Sequence, residues 1–264
     1  MQVTGHFEKM KTVLDEPVRY TLSLDGTEIE MNDLIGQHIE IRFTGDIHCR
    51  ICGKRTNKSF GEGYCYDHFM NHPANSPCIL RPELCEGHLG KGRDVQWEED
   101  HHVQPHVVYL ALSSGVKVGV TRETQVPTRW IDQGASQAIK LAEVPYRQLA
   151  GEIEVELKEY MTDKTNWQRM LKNQIADADL LEQKDYTATL LPEAYYDYIS
   201  DDDDIVEISY PVLEFPEKVK SINLDKTPEV SGKLLGIKGQ YLILEGGQVF
   251  NVRRHTSYLV EFSA

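Results

Sequence analysis

Cysteine and histidine are the residues here whose types and spacing speak most directly of chemistry. Cys49-x2-Cys52 lies in HCRICGKRT and Cys65-x2-His68 in GYCYDHF, which together make C-x2-C-x12-C-x2-H. Ligands paired two residues apart let each of two short loops supply half of a tetrahedron around Zn²⁺. Gly53 follows the first pair, where a tight turn aims backbone amides at the thiolates. His72, four residues after His68, is an alternative fourth ligand if this stretch is helical. A second, less regular group comprises Cys78, Cys85 and His88 with His101, His102 or His106; the competing reading is of small core or loop residues. A site whose ligands all come from protein leaves no open position, so zinc at either place is structural. Five cysteines are an odd number, and nothing at the start resembles a secretion signal, which argues against a disulfide framework.

The elements after the cysteines follow from pattern. Val107 to Leu112 and Val116 to Thr121 are strand-like on either side of Ser113-Ser114-Gly115, so a hairpin is expected, with Leu112 opposite Val116 if the loop has three residues. Pro127 suits a first helical position and Gly134 a helix stop, which puts Arg129 and Trp130 on a short helix. Ala138 to Val144 reads as a third strand. Pro145 then opens a longer helix in which Leu149, Ile153, Leu157 and Tyr160 recur at helical spacing and face the core. The order is β-β-α-β-α.

That order and its polar residues resemble the GIY-YIG nuclease superfamily. VVYLA carries Tyr109, KVGVT carries Val118 and Gly119, PTRWI carries Arg129, and GEIEVELKEYMTDKTN carries Glu154 and Asn166. Lys117 stands where the second motif has tyrosine, and Arg129 follows Gly119 by ten residues. The whole chain also resembles an uncharacterised bacterial zinc-binding family that places a cysteine-rich segment before a KVG-T-R-x-x-Q-x-P-T-R-W module; KVGVTRETQVPTRWIDQGA, DKTNW and GIKGQYLIL carry that likeness.

The nuclease resemblance implies an endonuclease. Glu154 would hold one Mg²⁺ (or Mn²⁺), Arg129 would fork onto non-bridging phosphate oxygens, and Tyr109 would position or deprotonate water, assisted by the Lys117 cation. Nucleic acid, DNA more than RNA, is the implied partner. Each residue has a plainer role: Tyr109 as core, Arg129 as a surface residue or partner of Asp132, Glu154 as partner of Lys158, Asn166 as cap of the helix beginning at Trp167. The competing functions are a catalytically inactive nucleic-acid-binding module and a protein-interaction scaffold.

Charge confines where nucleic acid can bind. The chain carries a formal −14, but residues 103–175 hold nine basic and eight acidic groups, while 1–47 hold four and nine and 176–264 hold eight and seventeen. The flanks alternate in strand fashion: Arg19 to Leu24 and Gln37 to Thr44 with Asp25-Gly26 as a turn, then Val206 to Tyr210, Lys233 to Leu235, Tyr241 to Leu244 and Val249 to Val252. They suggest a small barrel or sandwich to which both ends contribute. Asp201 to Asp204 reads as a solvated linker. The expected organisation is α+β: a β segment (1–47), a zinc-ribbon-like cysteine-rich segment (48–102), a GIY-YIG-like domain (103–175), a helical and acidic linker (176–204) and a small β domain (205–264). No apolar run is long enough to span a bilayer, and the expectation is a soluble cytoplasmic protein.

Overall fold

The computed structural model describes residues 1–264. Four short strands come first, β1 (Gln2–His6), β2 (Lys11–Val13), β3 (Arg19–Leu24) and β4 (Thr27–Glu30). Asp25 and Gly26 join β3 to β4 with φ of 48° and 85°, the left-handed pair that a two-residue hairpin turn requires. Strand β5 (His38–His48), β6 (Arg55–Thr56) and helix α1 (Tyr66–Asn71) follow. After a run of short 3₁₀ turns come α2 (Val95–His101), β7 (His106–Leu112), β8 (Val116–Arg122), α3 (Thr128–Asp132), β9 (Gln137–Val144), α4 (Arg147–Leu157), α5 (Trp167–Leu171), α6 (Leu180–Thr189) and β10 (Val206–Glu207). The chain closes with β11 (Lys220–Ile222), β12 (Glu229–Lys238), β13 (Tyr241–Leu244), β14 (Gln248–Asn251) and β15 (Tyr258–Ser263).

Two compact units result. The first comprises Met1–Met70, Ile131–Gly134 and Ile208–Ala264; the second comprises Asn71–Trp130 and Ala135–Glu207. They cut across the five segments expected from sequence, since the cysteine-rich stretch is divided between them.

In the first unit an eight-stranded sheet runs β1-β15-β5-β12-β13-β14-β11, with β6 added to β5. Strand β5 is antiparallel to both β15 and β12, so both ends of the chain build one sheet. A second, three-stranded sheet, β2-β3-β4, approaches β1 closely: a Cβ on Gly5 would lie 2.8 Å from the Leu24 carbonyl carbon. Ile39, Ile41, Val260, Phe262, Leu242 and Phe250 fill the interior.

The second unit has the sheet order β10-β9-β7-β8. The hairpin takes the three-residue loop, with Leu112 opposite Val116, Tyr109 opposite Gly119 and Ala111 opposite Lys117. One face of this sheet buries Val108, Leu110, Val118, Ile139 and Leu141 against Leu149, Ile153 and Leu157 of α4 and Leu180 of α6. Those α4 residues recur every four positions, as amphipathic spacing requires.

Two expectations need correction. Helix α4 ends at Leu157, so Tyr160 lies past its stripe and is 59% exposed. Strand β10 stops at Glu207 and pairs with β9 in the second unit, where a longer strand had been read in the C-terminal flank. The aspartate run is solvated as expected, with Asp201, Asp203 and Asp204 exposed, and two ion pairs tether it: Asp202 with Lys140 at 3.2 Å, and Asp203 with the buried ammonium of Lys184 at 2.7 Å.

Candidate functional site

The first cysteine group converges as its spacing predicts. Cys49 directly follows β5 and begins a turn in which Gly53 N–H donates to the Cys49 carbonyl at 2.8 Å and Gly53 takes φ +67°. Cys65 immediately precedes α1, and His68 lies one turn into that helix, so both donors face back to the turn. His68 Nδ1 stands 3.4 Å from Cys49 Sγ and 3.3 Å from Cys65 Sγ. A tetrahedral zinc with ordinary bond lengths has S···N edges of about 3.5 Å, so these residues fit the ion. Donor atoms of Cys49, Cys52, Cys65 and His68 all lie within 4.8 Å of one another. Burial raises the Cys49 thiol pKa, but N–H groups of Cys52, Cys65 and Ile51 and the His68 ring outweigh it and bring the thiol down to about 6. A thiol so poised is a ready thiolate ligand. His72 is not needed; its Nδ1 accepts from Ala74 N–H at 3.2 Å and caps a 3₁₀ turn.

A second group forms in the other unit, with a different membership from the one expected. Cys78, Cys85, Glu98 and His102 place donor atoms within 4.8 Å of one another, and all four are buried. His88 is not among them: its ring stacks on Tyr146 at 4.6 Å. His101 stacks on Trp97 and bonds the Trp97 carbonyl, and His106 bonds the Gln104 carbonyl, so neither joins the cluster. Glu98 was missed. Its signal was the Glu-x3-His spacing of Glu98 and His102, which puts both on one face of α2. Each group of four could hold a structural zinc.

The residues singled out for phosphodiester chemistry are gathered only in part. Tyr109 is 1% exposed; its ring stands edge-on to Trp130 with centroids 5.9 Å apart. A Cβ on Gly119 would lie 2.6 Å from the Tyr109 hydroxyl, so glycine at 119 is what lets the tyrosine lie across its neighbouring strand. Lys117, 6% exposed, has its pKa pushed down to about 8 by burial first and Arg129 second, with Asp163 and Glu154 pulling the other way. Lys117 therefore lies within electrostatic reach of Arg129, Glu154 and Asp163. Glu154 Oε2 binds Lys158 Nζ at 3.0 Å, and the same ammonium reaches Asp163 Oδ2 at 3.4 Å. One cation thus bridges two carboxylates. Asn166 is elsewhere engaged: its side chain accepts from Arg169 N–H at 3.1 Å as the cap of α5, and its own N–H donates to Ser114 Oγ. Asp163 was not foreseen, because it lies in an irregular segment without periodicity.

The model of a family described as "Protein of unknown function (DUF2797)" matches residues 36–260. The chain belongs to this family. No curated protein and no solved structure matches it. The DUF2797 match spans both metal-ligand groups and the whole β-β-α-β-α module. No helix of this DUF2797 member is long and apolar enough to cross a membrane.

Proposed function

We propose that this chain is a zinc-stabilised endonuclease that hydrolyses nucleic-acid phosphodiester bonds, DNA more than RNA, with a GIY-YIG-like module in its second unit. The observation that carries the reading is the buried Lys117 ammonium within electrostatic reach of Arg129, Glu154 and Asp163. A charge held in a buried place against its own desolvation is a mark of functional sites. The antiparallel sheet with β7 at its centre and the pairing of Tyr109 with Gly119 support the same reading.

Glu154 and Asp163 would hold Mg²⁺ or Mn²⁺ in place of the Lys158 ammonium that now bridges them, since such ions take one or two carboxylates and otherwise oxygen ligands. When bound, the ion supplies positive charge beside the phosphate. Arg129 binds two non-bridging oxygens and stabilises the charge that develops on them. Tyr109 orients the attacking water through its hydroxyl. Lys117 contributes a second cation on the neighbouring strand. Asn166 positions the segment that carries Asp163.

A second reading, a nucleic-acid-binding module that does not hydrolyse, is favoured by the 1% exposure of Tyr109 and by the Glu154–Lys158 ion pair. Cleavage kinetics separate the two. On the first reading Glu154→Gln abolishes Mg²⁺-dependent cleavage, and Arg129→Ala lowers turnover by about 10² to 10³, while zinc content is retained. On the second, neither wild type nor variants cleave any duplex, single-stranded or branched DNA, and Glu154→Gln binds as wild type does.

A further inference from the structure

We infer that Cys78, Cys85, Glu98 and His102 bind a second structural zinc of Cys₂-Glu-His type, and that this ion fixes the first half of α4. The ligands come from three places. Cys78 lies in the 3₁₀ turn Pro77–Ile79, Cys85 ends the turn Pro82–Leu84, and Glu98 and His102 stand one helical turn apart on and just after α2. Cys85 Sγ is 3.5 Å from His102 Nδ1 and 3.9 Å from Glu98 Oε2, and Cys78 Sγ is 4.0 Å from the same ring nitrogen. His102 and Glu98 are in direct contact.

Glu98 is 2% exposed, so its carboxylate is cut off from water beside two thiols and an imidazole. Acidic and thiol groups gathered in such a place are costly unless a cation compensates them. Two thiolates, a carboxylate and a neutral imidazole around Zn²⁺ leave a single negative charge, and the Arg147 guanidinium lies within electrostatic reach of both sulfurs. The surrounding chain is shaped to admit the carboxylate. A Cβ on Gly92 would lie 2.3 Å from Glu98 Cγ, and one on Gly87 would lie 3.3 Å from Glu98 Cβ, so two glycines leave the space that Glu98 fills. Gly87 also directs its N–H at Cys85 Sγ, as a thiolate ligand requires.

The same loop holds α4. Arg147, its first residue, donates from Nε and Nη2 to the Cys78 carbonyl at 3.1 and 2.9 Å and from Nη2 to the Ile79 carbonyl at 3.0 Å. Its backbone N–H donates to the His102 carbonyl at 2.9 Å. One turn on, a Cβ at Gly151 would lie 2.2 Å from Glu83 N, so the helix backbone rests directly on the loop between the two cysteines. An ion that closes Cys78 and Cys85 onto α2 therefore sets the platform for the helix that carries Glu154.

Metal analysis of the full chain together with amide hydrogen exchange tests it. The wild type should carry two zinc ions, one per cluster, and Glu98→Ala or Cys78→Ser should lose one of them and speed exchange of α4 amides. Cys65→Ser should also lose one ion yet leave α4 exchange unchanged, which separates a local effect from general misfolding. Gly92→Cys combined with Glu98→Ala should restore the second ion, because the new thiol occupies the vacated space. One zinc in wild type, unaltered by Glu98→Ala and Cys78→Ser, would overturn the site. A lost ion with unaltered α4 exchange would overturn its link to the helix.

Discussion

Replacing Lys117 by methionine should make the second unit more stable while removing a group assigned to the site. The folded chain holds this amine at about 8 where 10.5 is ordinary, chiefly because burial penalises its charge and Arg129 repels it. At 1.36 kcal/mol per pKa unit, that difference is worth about 3 kcal/mol against the ammonium form at neutral pH. The sign follows from proton binding. Below about 8 both folded and unfolded chains carry the proton, and the folded state bears the full penalty. Between about 8 and 10.5 the unfolded chain binds more protons, so wild-type stability rises with pH through that window. Methionine, of similar reach and uncharged, removes the penalty. Lys117→Met should therefore stabilise by up to about 3 kcal/mol at neutral pH, and the advantage should shrink as pH rises towards 10.5. Urea unfolding followed by tryptophan fluorescence reads this unit specifically, since Trp97, Trp130 and Trp167 all lie in it. Taking the difference between variant and wild type cancels other groups that titrate in the same range, Lys238 among them. A variant less stable than wild type at neutral pH, or a difference that does not vary with pH, would refute the account of a strained buried charge. Loss of cleavage with gain of stability is the pattern expected of a functional residue.

Two further outcomes follow from the geometry. Cys65→Ser should unfold the turn from Cys49 to His68 and lower zinc content by one ion per chain, as should a strong chelator acting on wild type; thiol titration and metal analysis check both. Asn166→Ala should cost about 1 kcal/mol through loss of the α5 cap, read by the same fluorescence assay, and should lower cleavage as the segment that carries Asp163 loses its anchor.

Local features were the legible ones. Asp25-Gly26 and Ser113-Ser114-Gly115 are turns whose chemistry lies within a few residues, and the hairpin register follows from loop length. The Cys49–His68 set was readable for the same reason: each loop supplies a ligand pair at fixed spacing, so convergence needs only one long-range closure. Glu98 was hidden because a carboxylate on a helix is usually solvated, and only the folding of Cys78 to Cys85 beneath α2 makes it a ligand. His88 looked eligible by proximity in sequence but turns to stack on Tyr146. That β5 lies between β15 and β12 depends on pairings more than 180 residues apart, which no local pattern encodes. Tyr160 fell outside its helix because α4 ends at Leu157. Of the five residues proposed for catalysis, Lys117 lies within electrostatic reach of Arg129 and Glu154, while Tyr109 packs against Gly119 and the Trp130 ring. Asn166 serves visibly as a helix cap.

The claim that this unit cuts phosphodiester bonds with a divalent ion between Glu154 and Asp163 is tested most directly by titrating Mg²⁺ in single-turnover cleavage of labelled DNA, comparing wild type with Lys158→Met. The ammonium now stands 3.0 Å and 3.4 Å from the two carboxylates, so it competes for the ion's place. The account predicts that both proteins cleave and that Lys158→Met does so at lower Mg²⁺. Absence of cleavage by both proteins at saturating Mg²⁺, on duplex, single-stranded and branched substrates alike, would contradict it.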